Sequence, residues 1–165
     1  MENSEEELER ILPRLNRFLS TRERASSEIR DYLRRKKMGG PELAEAAIVR
    51  LREMGLQDDL RFARNRAEYR REKAYGPLYI RNELNMLRVD SGITKQVLAE
   101  QNREDYLGPA LERAERKLSA YIREPEAELK IRRMLASRGY ESALAQEVVR
   151  ALKEKFPHWG RTGAG

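Results

Sequence analysis

This 165-residue chain has no cysteine, one histidine, one tryptophan and only 7% aromatic residues. Without cysteine there can be no disulfide, thiolate nucleophile or thiolate zinc site, and such a composition suits a reducing compartment. The one histidine, His158, follows the helix-stopping Pro157 and has no histidine partner for a metal. No run approaches the ~18 uninterrupted apolar residues of a membrane span. The opening Met-Glu-Asn-Ser-Glu-Glu-Glu is acidic where a secretory signal would be basic, so neither membrane nor export is expected. The glycines stand at expected helix ends and form no phosphate-cradling GxxxxGK or GxGxxG loop. No nucleophile–base pair presents itself either, so the chain is expected to be no enzyme and to need no cofactor.

What is present is charge and repetition. Charged residues make up 38% of the chain, with 34 Lys+Arg against 28 Asp+Glu and a net charge of +6. Most carboxylates fall three or four positions from an Arg or Lys, the spacing of solvated helix-face pairs. The excess of positive charge favours polyanionic partners. Ile29-Arg30-Asp31-Tyr32-Leu33 returns as Ile80-Arg81-Asn82-Glu83-Leu84 and as Ile131-Arg132-Arg133-Met134-Leu135, each copy 51 residues after the last. A small residue precedes each Ile by four places: Ala25, Gly76 and Ala127. A fixed period of this size means tandem units that share a core and present faces rather than deep pockets.

β-branched residues are sparse, and apolar residues recur at three and four, so the whole chain reads as helix. Three repeats of three helices are expected, over residues 8–56, 57–103 and 104–156, with 157–165 a flexible tail. The expected fold is all-α, an elongated, curved array of helix-turn-helix-like units. The first helix has the stripe Leu8, Ile11, Leu12, Leu15, Phe18 and Leu19, with Pro13 as its start or a kink. The second runs over 26–37. Gly39-Gly40-Pro41 stops it and opens the third, which ends at Gly55. In repeat two, Asp58-Asp59 opens a helix, Gly76-Pro77 another, and Thr94 caps the last. In repeat three, Leu107, Leu111, Ala114, Leu118 and Tyr121 form the buried stripe. Pro125 then opens one helix and Ser142 the next.

Within each repeated phrase, Ile and Leu belong to the core. The arginine points about 100° away, so Arg30, Arg81 and Arg132 are either solvated or contact residues on one side of the array. Further candidates for polyanion contact are Arg34, Arg35, Lys36 and Lys37. A second group is Arg64, Arg66, Arg70, Arg71 and Lys73, with Tyr69, Tyr75 and Tyr79 nearby. A third is Lys130, Arg133 and Arg138. Basic groups interleaved with tyrosine suit a phosphate backbone with stacked bases, although arginines also complement helix ends and tyrosines pack at helix crossings.

The pattern Asp58-Asp59-Leu60-Arg61-Phe62-Ala63, followed by Gly76-Pro77-Leu78-Tyr79-Ile80-Arg81-Asn82-Glu83-Leu84, resembles the signature of the RecX family. Gly55-Leu56 and Arg138-Gly139-Tyr140 are similar to further family features, and the resemblance covers about residues 15–155. The matching residues are Asp58, Asp59, Arg61, Phe62, Ala63, Gly76, Pro77, Ile80, Glu83 and Leu84, several of them caps and core. The resemblance implies a monomeric, bacterial cytoplasmic regulator in the SOS and DNA-repair response. Such a protein binds the RecA–DNA nucleoprotein filament and damps RecA recombination and ATP hydrolysis. Its partners would be the RecA filament and, through weaker direct binding, DNA, whether single-stranded or double-stranded. The turn over 85–92 departs from the family pattern in lacking a basic run ending in a compact glycine turn. Two other readings suit the same residues. One is a helix-turn-helix reader of duplex DNA, with Lys95, Gln96, Gln101 and Asn102 on the third helix of repeat two. The other is a helical scaffold for protein partners alone.

Overall fold

The computed structural model describes residues 2–123 and 125–159. Among the described residues there are nine α-helices and no strand: α1 Glu2–Ser20, α2 Ser26–Arg35, α3 Pro41–Glu53, α4 Asp59–Glu72, α5 Pro77–Met86, α6 Ser91–Ala99, α7 Arg103–Tyr121, α8 Ala127–Ser137 and α9 Ser142–Lys155.

The apolar pair of the repeated phrase is equally buried in α2, α5 and α8. Ile29, Ile80 and Ile131 are each 0% exposed, and Leu33, Leu84 and Leu135 at most 1%. Ala25, Gly76 and Ala127 are buried as well. The three helices also end alike. Lys37, Arg88 and Gly139, again 51 residues apart, take left-handed φ values of 52°, 52° and 83°. The next residue's N–H then reaches back to the carbonyl of the repeated leucine: Met38 to Leu33, Val89 to Leu84 and Tyr140 to Leu135, each at 3.0 Å. This closure satisfies a carbonyl that the helix end would otherwise orphan, and the apolar residue beyond the turn folds against the helix.

Two compact units divide the chain. Residues 1–65 with 84–97 form one unit. Its core is Ile11, Leu12 and Leu15 of α1, Ile29 and Leu33 of α2, and Ala44, Ala47, Ile48 and Leu51 of α3. Residues 66–83 with 98–165 form the other. There α7, α8 and α9 pack pairwise around Ala110, Ala114, Leu118, Ile131, Leu135, Val148 and Leu152.

Several local expectations are corrected. Helix α1 starts well before Leu8 and continues through Pro13, because Pro13 is exposed and the carbonyl it leaves unbonded can reach water. Helix α2 stops at Arg35, ahead of the left-handed Lys37. Thr94 is buried inside α6 and caps nothing. That task falls to Asp90, whose Oδ1 accepts from Gly92 N at 2.8 Å and Ile93 N at 3.3 Å. The buried line of α7 is Tyr106, Ala110, Ala114 and Leu118, with Leu107, Leu111 and Tyr121 at its margin. Its small residues let α8 and α9 approach closely. Helix α8 begins at Ala127, two residues after Pro125. Trp159, placed in the tail by sequence, is buried. Pro157 and His158 of that expected tail are exposed, and its residues 160–165 lie outside the described residues.

Candidate functional site

The two adjacent acids of the signature do different work. Asp58 Oδ1 accepts from Leu60 N at 2.9 Å and Arg61 N at 3.0 Å, capping its own helix. Those bonds, the Arg61 amide foremost, hold its pKa below the ordinary carboxylate value. Asp59 turns away and accepts from Ser26 N at 2.8 Å and Ser26 Oγ at 2.6 Å, so it caps α2 from a distant part of the chain. The buried Gln57 also donates to Asp59, at 2.9 Å, while accepting from Arg52 Nε at 2.9 Å. Arg61 binds Glu23 and the Gly55 carbonyl. Phe62 and Ala63 are buried.

In the second unit, Glu83 receives two guanidinium groups. Arg66 Nη2 lies 2.6 Å from its Oε1, and Arg70 bonds it through Nε at 2.8 Å and Nη2 at 2.7 Å. Burial pushes the Glu83 pKa up, but the hydrogen bonds from Arg70 and Arg66 outweigh it, and the net shift is downward. Beside this cluster, Tyr75 packs on Tyr79 with centroids 4.1 Å apart and the rings tilted by 31°, and the Arg138 guanidinium sits 4.0 Å from the Tyr75 ring centroid. Arg138 also donates to the carbonyls of Ala74 at 2.7 Å and Lys73 at 2.5 Å, closing the end of α4.

The basic candidates therefore separate by partner. Arg30 is held by two bonds to Glu45, at 2.5 and 3.0 Å. Arg34 pairs with Asp31 at 2.8 Å, and Arg132 with Glu128 at 2.8 Å. Arg71 bonds Gln101 at 2.7 Å and approaches Asp105 at 3.5 Å. Lys130 lies 4.3 Å from the Tyr121 ring centroid, and Lys73 lies 5.8 Å from that of Tyr69, which is well exposed. Arg64 is exposed on α4. Arg35, Lys36, Lys37, Arg81 and Arg133 are exposed, and no ion pair holds them among the described residues. Of the residues expected on the third helix of repeat two, Lys95 and Gln96 are on α6, whereas Gln101 and Asn102 lie beyond its end at Ala99. Ser142 and Gln146, exposed on α9, were not among the sequence candidates. Their only signal is their position after the Arg138-Gly139 turn.

A family model for the second three-helix domain of RecX matches residues 58–98. Over 154 residues the chain is 34% identical to the regulatory protein RecX of Escherichia coli (strain K12), an alignment covering 86% of this chain and 90% of that protein. The chain belongs to the RecX family. It is also 28% identical over 141 residues to the regulatory protein RecX of Legionella pneumophila (strain Corby), covering 85% of this chain and 93% of that one. Two solved RecX structures share the fold. That from Lactobacillus salivarius has a TM-score of 0.80 at 18% identity, over 90% of this chain and 98% of that chain. The other has a TM-score of 0.74 at 22% identity, over 90% of this chain and 74% of that chain.

In this RecX-family chain Asp58 and Asp59 of the signature cap helices, Glu83 accepts from two arginines, and Ile80 and Leu84 lie in the core. Gly76 and Pro77 open α5, and the Gly76 N–H donates to the Arg138 carbonyl at 2.7 Å. Among the described residues no helix is long and apolar enough to cross a membrane, and no group of three or more His, Cys, Asp or Glu could hold a metal.

Proposed function

We propose that this chain regulates RecA recombinase in the bacterial cytoplasm by binding the RecA–DNA nucleoprotein filament. Bound there, it damps strand exchange and ATP hydrolysis, contacts DNA more weakly by itself, and catalyses nothing. The observation that carries this reading is the likeness to the E. coli regulatory protein across 86% of the chain. The repeat supports it. Three helices, α2, α5 and α8, recur with equally buried Ile and Leu and with equivalent ends, which suits a partner that is itself a repeating polymer. The net charge of +6 and the exposed Arg35, Lys36, Lys37, Arg81 and Arg133 suit a filament that carries phosphates.

The test is RecA ATPase on single-stranded DNA with this protein added below stoichiometry. Hydrolysis is expected to fall well before one molecule is present per RecA protomer. Unchanged hydrolysis at equimolar protein, with the filament intact, refutes the reading.

A further inference from the structure

The groove between the second and third helices of a triplet occurs in both units, with different charge. In the first unit it lies between α2 and α3, about 610 Å³ in volume, and Asp31 and Glu45 line it together with Arg30, Arg34 and Lys37. Those carboxylates are engaged: Glu45 holds Arg30, and Asp31 holds Arg34 at 2.8 Å and Arg88 at 2.5 Å. In the second unit the groove lies between α8 and α9, about 350 Å³, lined by Arg132, Arg133, Ala136, Tyr140, Ser142, Ala145 and Gln146. Among the described residues no carboxylate lines it. Where α3 carries Glu45 after Ala44, α9 carries Gln146 after Ala145.

Three further observations bear on what the second groove accepts. Arg133 is exposed with no ion pair among the described residues. Among the described residues Arg132 is held from its own helix, by Glu128, and that carboxylate also pairs with Lys153 at 2.8 Å. Along α9, Ser142, Gln146 and Arg150 are all exposed at intervals of four, so they stand on one face. The groove thus sets two guanidinium groups beside a hydroxyl and an amide, donor types that bind phosphate oxygens. The short turn joining α8 to α9 has the form of a helix-turn-helix, in which the second helix can enter a duplex groove.

We propose that the α8–α9 groove is a phosphodiester-binding surface for DNA. Arg133 and Arg132 contact the backbone, Ser142 and Gln146 support them, and Arg34 of the α2–α3 groove, held by Asp31, makes no such contact. The assignment rests on the reading that this chain acts on a DNA-bearing filament, and it adds which face meets the DNA.

The experiment measures binding of the full-length protein to fluorescent single-stranded and duplex oligonucleotides of one sequence, across a salt series. Wild type is compared with Arg133→Ala, with Gln146→Glu, which restores the carboxylate of the first groove, and with Arg34→Ala. Both α8–α9 variants are expected to weaken binding about five- to tenfold and to flatten the log–log salt slope by roughly one phosphate's worth, about 0.7–0.9. Arg34→Ala is expected to bind as wild type. A loss on either oligonucleotide supports the proposal, and a larger loss on duplex identifies groove entry by α9. Wild-type affinity in both α8–α9 variants overturns it, as does an equal loss in Arg34→Ala or no wild-type binding at low salt. RecA ATPase, run in parallel on wild type, tests the regulatory reading separately, because DNA contact can persist where inhibition fails.

Discussion

Gly76 and Gly139 meet backbone to backbone: a Cβ on Gly76 would stand 2.3 Å from the Gly139 carbonyl oxygen, and a Cβ on Gly139 would stand 2.3 Å from the Tyr79 nitrogen. Through this crossing the start of α5 lies on the end of α8. The Gly76 N–H donates to Arg138 O at 2.7 Å and the Leu78 N–H to Gly139 O at 3.1 Å. Orphan donors of one helix thereby satisfy orphan acceptors of another, and the intervening Pro77 has no N–H to satisfy.

Alanine at Gly76 or Gly139 is therefore expected to destabilise the protein by about 2–4 kcal/mol, since the obstructing atoms are backbone and Gly139 is also left-handed. Gly55 makes the comparison. It has φ +70°, but a Cβ there would meet nothing within 4 Å, so Gly55→Ala should cost only about 1 kcal/mol. Urea denaturation of the three variants checks the order, and equal losses would refute the crossing.

Lys37 takes the left-handed conformation that Gly139 takes at the equivalent position. Its side chain is exposed and has no ion-pair partner among the described residues. Lys37→Gly is expected to raise stability by up to about 1 kcal/mol by relieving that backbone cost. A fall in unfolding midpoint would show that the lysine stem contributes packing instead.

Glu83 is the anchor for Arg66 and Arg70. Glu83→Gln should cost about 1–3 kcal/mol, because two guanidinium groups lose a charged acceptor in a half-buried site. The folded pKa of Glu83 lies below its ordinary value, so its stabilisation is present above the unfolded pKa and is lost as pH falls through the folded one. Glu45, Asp58 and Glu128 shift the same way. The thermal midpoint should thus drop as pH falls below roughly 4, and more shallowly in Glu83→Gln. Identical pH profiles for variant and wild type would remove Glu83 from the acid response.

The hydroxyls of Tyr106 and Tyr140 are buried with no hydrogen-bond partner among the described residues, and burial raises both phenol pKa values. Tyr106→Phe and Tyr140→Phe are therefore expected to be neutral or to stabilise by up to about 1 kcal/mol. A clear loss on calorimetry would mean that an ordered water serves these oxygens.

Asp59→Ala should cost about 1–2 kcal/mol, since Ser26 N, Ser26 Oγ and Gln57 all lose their acceptor. Hydrogen exchange locates the damage: protection should fall at the start of α2. With Asp58→Ala it should fall at the start of α4, and the reverse pattern would disprove the division of labour.

The helical class, the 51-residue recurrence and the identity of the buried Ile and Leu were all legible along the chain, because they follow from local periodicity and composition. A left-handed helix end was visible where glycine marks it, at Gly55 and Gly139, but not at Lys37 or Arg88, where the flanking helix imposes that conformation on residues that disfavour it. Folding in three dimensions was needed to settle which of two adjacent aspartates caps a distant helix. It also settled which arginines spend their charge on Glu45, Asp31 or Glu83 and which keep it exposed. Charge pairing across helices depends on positions far apart in the chain, and no spacing rule read along the sequence contains that distance.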